Sequence, residues 1–209
     1  MKDLIIVGAG GFGREVYYLA KAINAVAPRW NIKGFINDIP VDLKSVKIDL
    51  PILGTIKDWN PGGDEVFAMG ISSPAGKEKV ATILKSKGAK FETLIAPHAF
   101  VCPTASIGEG CVVSYPTTVG DCAKIGSFVN MHGTMVGQDA EIGDYSTTTG
   151  YANVTTAKIG KRVFIGSHAV ILNGRKIGDD AFVCAGSIVF GNVKPGIKVM
   201  GNPAKRFDI

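Results

Sequence analysis

Ala157-Lys158-Ile159-Gly160-Lys161-Arg162-Val163-Phe164-Ile165-Gly166-Ser167-His168-Ala169-Val170-Ile171 repeats every six residues. Ile159, Ile165 and Ile171 hold one register, and Ala157, Val163 and Ala169 stand two places ahead of them. Extended upstream, the aliphatic register reads Val101, Ile107, Val113, Val119, Ile125 and Met131. After a one-residue slip it continues as Val136, Ile142, Thr148 and Val154. A second slip leads into Ile159, and the series ends on Ile177, Val183 and Val189. The register two places ahead is mostly small: Ala105, Cys111, Thr117, Ala123, Thr134, Ala140, Ser146, Ala152, Ala181 and Ser187, against Val129, Val163 and Arg175. A period of six with one large and one small inward position describes a triangular coil, three hexapeptides to the turn. The strands of a β-sandwich vary in length and would not hold two registers so far. The pattern therefore predicts an all-β left-handed parallel β-helix over residues 95–209. The glycines after the aliphatic position (Gly108, Gly120, Gly126, Gly143, Gly160, Gly166, Gly178) are expected to supply backbone freedom at the turns.

Residues 1–94 read differently. Leu4-Ile5-Ile6-Val7 is an apolar strand running into Gly8-Ala9-Gly10-Gly11-Phe12-Gly13, and Arg14 to Ile23 carries apolar residues at helical spacing. Strand, glycine loop and helix form the context in which Gly-x-Gly-x-x-Gly signals phosphate binding. The backbone approaches the anion, and free N–H groups at the helix start face it. Ile32 to Asp38 is a second strand ending in an acid; Glu65 to Gly70 is a third, followed by a helical pattern from Pro74 to Lys87. A Rossmann-like α/β domain is expected. About 95 residues leave no room for the second half of a dinucleotide fold, so a nucleotide or nucleotide-sugar suits it better than NAD. A tight strand-to-helix turn without ligand is the plain alternative for the loop, and a solvated turn residue the alternative for Asp38.

Composition narrows the class. In 209 residues the hydrophobic share is 46% and the charged share 20%, as in ordinary globular chains. No apolar run approaches the roughly 20 residues of a membrane span, and only Met1, Lys2 and Asp3 precede the first strand. A cytoplasmic protein is expected, with no membrane partner. The net charge of +5 is scattered rather than striped, which argues against nucleic acid and suits anionic small molecules. Cys102, Cys111, Cys122 and Cys184 lack metal or redox spacing and are expected to be buried free thiols; no metal is anticipated.

Residues 95–209 resemble the hexapeptide-repeat acyltransferases, down to the ending Val199-Met200-Gly201-Asn202-Pro203-Ala204-Lys205. The whole chain resembles one branch of that family, the NeuD-type sugar acetyltransferases of bacterial surface-glycan and sialic acid pathways. The resemblance implies a homotrimer whose acetyl-CoA sits in the groove between neighbouring prisms. It also implies an N-terminal domain that holds the nucleotide of an activated sugar. Carried over residue by residue, it points to Gly10, Gly11 and Phe12 in the loop, Asn37 and Asp38 after the second strand, and Gly70 after the third for substrate. Thr147, Ser167 and Ala185 are the corresponding coenzyme positions.

The chain departs from the family at its working imidazoles. The family's base lies in a stretch matched here by Val136-Gly137-Gln138-Asp139-Ala140-Glu141-Ile142-Gly143-Asp144, with Gln138 at the His position and Asp139 as its acidic neighbour. A second family His is replaced by Thr147, and a loop His by Phe12. A carboxamide takes no proton at neutral pH, so Gln138 can orient an acceptor but not act as a base. His132, one hexapeptide upstream and beside the first slip, is the replacement candidate. His98 reads as a residue of the domain junction, and His168 as a neighbour of the coenzyme groove. An acceptor amine of low pKa would need no strong base, and a silent nucleotide-sugar binder is the alternative from another class. Transfer of a different acyl group, such as succinyl or formyl, is a further enzymatic alternative.

Overall fold

The computed structural model describes residues 1–207; the last two residues of the expected prism lie outside them. The chain opens with β1 (Lys2–Val7), α1 (Gly11–Val26), β2 (Trp30–Ile36), β3 (Ile52–Gly54), β4 (Glu65–Met69) and α2 (Pro74–Ser86). The four strands form a parallel sheet in the order β3-β2-β1-β4. Helices cover both faces, which is why β1 runs apolar without a break from Leu4 to Val7. Leu4 and Ile6 pack with Val16 and Ala20 of α1, whereas Ile5 and Val7 pack with Ala81 and Leu84 of α2. The short β3 was not anticipated: three residues are too few for a strand period to emerge.

The first strand of the β-helix is Leu94–Ile95. Three parallel faces follow. One carries Leu94–Ile95, Val112–Ser114, Asn130–His132, Thr147–Thr148, Phe164–Ile165, Phe182–Val183 and Lys198–Met200, closed by an antiparallel Lys205–Arg206. A second starts at Phe100–Val101 and ends at Ile188–Val189; the third starts at Ser106–Ile107 and ends at Lys176–Ile177. Stacking coils aligns the aliphatic register into columns, such as Val113, Met131, Thr148, Ile165 and Val183. Those columns and the small residues make one continuous core. The slips fall at corners and leave the ladders in register. Thr148, the one hydroxyl in the aliphatic register, is satisfied inside by Thr134 Oγ1 at 2.6 Å.

One expectation is corrected. The glycines after the aliphatic position are not the left-handed residues. Positive φ falls three residues before the aliphatic, at Gly110, Gly174 and Gly186 but equally at Cys122, Asp139, Tyr151 and His168. The other glycines are required by coil stacking. A Cβ on Gly143 would lie 2.6 Å from the backbone carbon of Gly160, and one on Gly166 2.4 Å from the Ala185 nitrogen. The cysteines also divide: Cys111 is buried, Cys102 and Cys184 are half-buried, and Cys122 is exposed at a corner.

The outer surfaces of the three faces differ. The first is covered over its early coils by the N-terminal domain. The third presents Lys124, Glu141, Lys158 and Lys176 to solvent. The second presents Phe100 and Met135, both more than half exposed, with Val170 and Ile188 below them.

Candidate functional site

The seam between the N-terminal domain and the first face collects the polar groups. Ser73 caps α2 by accepting from the Gly76 N–H, and Pro74 follows it, which sets the helix direction. α2 then drives Lys77 into the seam, on the same buried face as Ala81 and Leu84. Lys77 is fully buried and its Nζ donates to Ser146 O (2.8 Å) and Thr147 Oγ1 (2.9 Å). Burial pulls its pKa down to about 7. Thr147 Oγ1 donates to Ser72 O (2.7 Å), and Asn130 Nδ2 donates to Ile71 O (3.0 Å). Asn130 Oδ1 is buried with no hydrogen-bond partner. Thr147 is thus withdrawn from the expected coenzyme role: it is buried beneath α2 and its hydroxyl is already used as donor and acceptor.

At the other end of the seam is the glycine loop. Its glycines do two jobs. Gly13 would place a Cβ 1.9 Å from Gly8 O, and Gly70 one 2.8 Å from Gly13 Cα, so both exist for close strand–helix approach. Gly10 and Gly11 face open space, with nothing within 4 Å of a Cβ on Gly10. Gly10 caps α1 with no side-chain hydrogen bond, which leaves first-turn N–H groups free. The Ala9 N–H donates to Asn37 Oδ1 (3.0 Å), so Asn37 braces the loop. Asp38 Oδ1 accepts from the Ile56 and Lys57 N–H groups at 2.7 and 3.3 Å, the turn role given as its alternative.

Phe12 reaches from the loop to the prism. Its ring meets the His132 imidazole edge-on, centroids 4.7 Å apart. Glu15, one turn along α1, brings Oε2 to 3.8 Å from His132 Nδ1. Burial, helped by the Lys77 charge, lowers the His132 pKa to about 4. His132 opens onto a cleft of about 690 Å³ between α1 and the prism edge, whose walls include Glu15, Leu19, His98, Tyr115 and Tyr151.

That edge continues downward coil by coil. The Tyr151 N–H donates to Gly133 O (3.1 Å), the His168 N–H to Gly150 O (2.9 Å), and the Gly186 N–H to Ser167 O (2.8 Å). His132, Ser167 and Ala185 therefore share one edge of the prism. Tyr151 stacks on His168 along it, at 5.4 Å. Gln138 and Asp139 lie on a different edge, both exposed, and Gln138 lines a groove with Met135, Thr156 and Asn173 and no N-terminal residue. Asp139 is one of the left-handed corner residues. One chain does not bring Gln138 to the loop or to Ser167.

Sequence reasoning missed Lys77 and Glu15. Lys77, Ala81 and Leu84 stand at i, i+4 and i+7, the buried stripe of a helix, and that spacing was the available signal for Lys77. Glu15 had none, because its partner is 117 positions away on another domain. Among the described residues no group of three or more His, Cys, Asp or Glu is placed to hold a metal, and no helix is long and apolar enough to cross a membrane.

A glycine loop set against a hexapeptide prism is a plan that known proteins share. Residues 3–84 match the PglD N-terminal domain, and residues 156–191 match the bacterial transferase hexapeptide of six repeats. The fold matches the acetyltransferase domain of PglB from Neisseria gonorrhoeae (TM-score 0.89, 23% identity, 99% of this chain and 100% of that one). It also matches perosamine N-acetyltransferase from Caulobacter crescentus, solved with CoA and GDP-perosamine (0.86, 21%, 100% and 98%). WeeI from Acinetobacter baumannii matches at 0.85 and 25% identity over 99% and 100%. Among curated sequences, serine acetyltransferase 2 of Arabidopsis thaliana is 37% identical over 107 residues, 49% of this chain and 30% of that protein. The chain spans about 30% of the length of such curated relatives. It joins a PglD-type N-terminal domain to a hexapeptide-repeat β-helix, a fold it shares with those solved structures.

Proposed function

We propose that the protein is an acetyl-CoA-dependent acetyltransferase acting on the amine or hydroxyl of a nucleotide-linked sugar, in cytoplasmic surface-glycan or sialic acid metabolism. The carrying observation is the seam: an open-faced, uncapped glycine loop starts α1, and α1 walls one cleft together with the prism edge that runs on down to Ser167 and Ala185. Gly10, Gly11 and the free N–H groups of α1 suit a diphosphate. The cleft along α1 has room for the sugar, with Tyr115 and Tyr151 as walls for its apolar face. The caught relative, perosamine N-acetyltransferase with CoA and GDP-perosamine, supports an amino sugar as acceptor.

The reaction needs no metal. The acceptor nitrogen or oxygen attacks the thioester carbonyl, the C–S bond breaks, and coenzyme A leaves as the thiol. The active assembly is a homotrimer, supported by the second prism face, whose exposed Phe100 and Met135 suit burial against a neighbouring copy. In that assembly, Gln138 and Asp139 of one copy orient groups at the edge of the next. Release of free thiol from acetyl-CoA in the presence of a nucleotide-linked amino sugar tests the reading. Thermal shifts with the nucleotide-sugar but no thiol, across a panel of acceptors, would favour the silent binder. The carboxamide at Gln138 is the observation on that side. Light scattering should give about three times 22.0 kDa.

A further inference from the structure

We infer that His132 is the proton acceptor of the reaction and that Glu15 is its positioning residue, the two forming a base pair across the domain seam. This rests on the acetyltransferase reading above and gives it the base that Gln138 cannot supply.

Three observations carry it. First, His132 of the prism is met across the seam by two side chains of the N-terminal domain, the Phe12 ring at 4.7 Å and the Glu15 carboxylate at 3.8 Å, on the first turns of the helix that begins at the glycine loop. His98 and His168 are exposed. Second, His132 opens into the cleft of about 690 Å³ that runs along α1, the helix that the loop begins. Third, it lies on the edge on which Ser167 sits two coils below, about 10 Å away at the usual spacing of stacked strands. Gln138 and Asp139 lie on another edge.

Glu15 stands to His132 as an orienting carboxylate stands to a catalytic imidazole. It faces Nδ1, leaving Nε2 as the proton acceptor. Burial keeps the imidazole neutral at physiological pH, which is the form that can receive a proton. The charged groups facing it are Glu15 from α1 and Lys77 from α2, and they act in opposite senses. Lys77 disfavours the imidazolium and Glu15 favours it. So weak a base takes a proton only once the C–N bond has begun to form, because the attacking nitrogen becomes strongly acidic as it acquires positive charge. The electron pair of the amine forms the C–N bond, and the carbonyl oxygen carries the charge. The N–H proton passes to His132, the C–S bond breaks, and the departing sulfur takes the proton from His132.

The experiment is steady-state thiol release with acetyl-CoA and a nucleotide-linked amino sugar for wild type, His132→Gln, Glu15→Gln and the double variant. Acetyl-CoA binding is followed in parallel by calorimetry. Glu15 is 70% exposed, so Glu15→Gln leaves the fold intact. His132→Gln should lower kcat by about 100-fold or more, with acetyl-CoA affinity unchanged. Glu15→Gln should lower kcat several-fold at unchanged KM for acetyl-CoA. It should have no further effect in the His132→Gln background, a non-additivity that a merely structural role would not produce. Wild-type turnover that survives His132→Gln would overturn the pair and leave the transferase reading standing. Additive effects of the two changes would remove Glu15 from the role. Absence of thiol release by the wild type would take down the transferase reading itself, and the pair with it.

Discussion

Lys77 makes the stability of this protein depend on pH in a calculable way. Its pKa is about 7 in the folded chain and 10.5 in the reference state, so between those values the unfolded chain binds more protons. Stability therefore rises with pH across this window. The full ionisation cost applies below pH 7 and disappears above about pH 10. Each pKa unit corresponds to about 1.4 kcal/mol, so at pH 7 the buried ammonium costs about 4 kcal/mol. At pH 9 about 2 kcal/mol remains. The two hydrogen bonds to Ser146 O and Thr147 Oγ1 offset part of this, by about 1 kcal/mol each. Lys77→Met removes the titration while filling most of the space. The assay is urea unfolding at pH 7 and pH 9, followed by the fluorescence of Trp30 and Trp59, both in the N-terminal domain. Wild type should gain about 2 kcal/mol relative to Lys77→Met between the two pH values. Taking the difference cancels every other titrating group common to both chains. Parallel pH dependences for the two proteins would refute the reasoning, because a buried lysine with an ordinary pKa has no slope in this range.

Three further outcomes follow from local geometry. Gly143→Ala should lose several kcal/mol, since the new Cβ would lie 2.6 Å from the Gly160 backbone carbon. Gly150→Ala, whose nearest contact is Ser167 Oγ at 3.8 Å, should be tolerated; equal melting temperatures for the two would contradict the stacking role. Gly10→Ala should fold normally, yet weaken nucleotide-sugar binding in calorimetry, because its Cβ would occupy the open approach to the α1 N–H groups. Unchanged affinity would leave the loop a mere turn. Gln138→His should raise thiol release only in the assembled trimer, because within one chain Gln138 and Ser167 lie on different edges; a gain in an isolated protomer would overturn that geometry.

The β-helix was legible because its periodicity is strictly local. Every six residues the chain meets the same demands, a large apolar side chain inward and a small one near the corner, and the slips at Met131 and Val154 show as missing residues. The role of the glycines at Gly143 or Gly166 was not legible, since the atoms that exclude a Cβ belong to the next coil, 17 to 19 positions on. The same limit applied to Thr147. Its position in the repeat points it outward, toward any coenzyme, but α2 comes down on that surface and buries it with Lys77.

Residue order alone thus determined the two folds, their order along the chain and the glycine loop, while the absent imidazole at Gln138 came from the family resemblance. The first three are properties of spacing and of side-chain chemistry. Only the tertiary structure decided which groups meet. It brought Glu15 and Phe12 to His132, set His132 above Ser167 on one prism edge, and sent Gln138 to another. The physical reason is that a coil of 17 or 18 residues returns the chain to the same edge, whereas the docking of the two domains is fixed by buried contacts such as Lys77 with Ser146. Those contacts join residues about 70 positions apart and leave no periodic trace in the sequence.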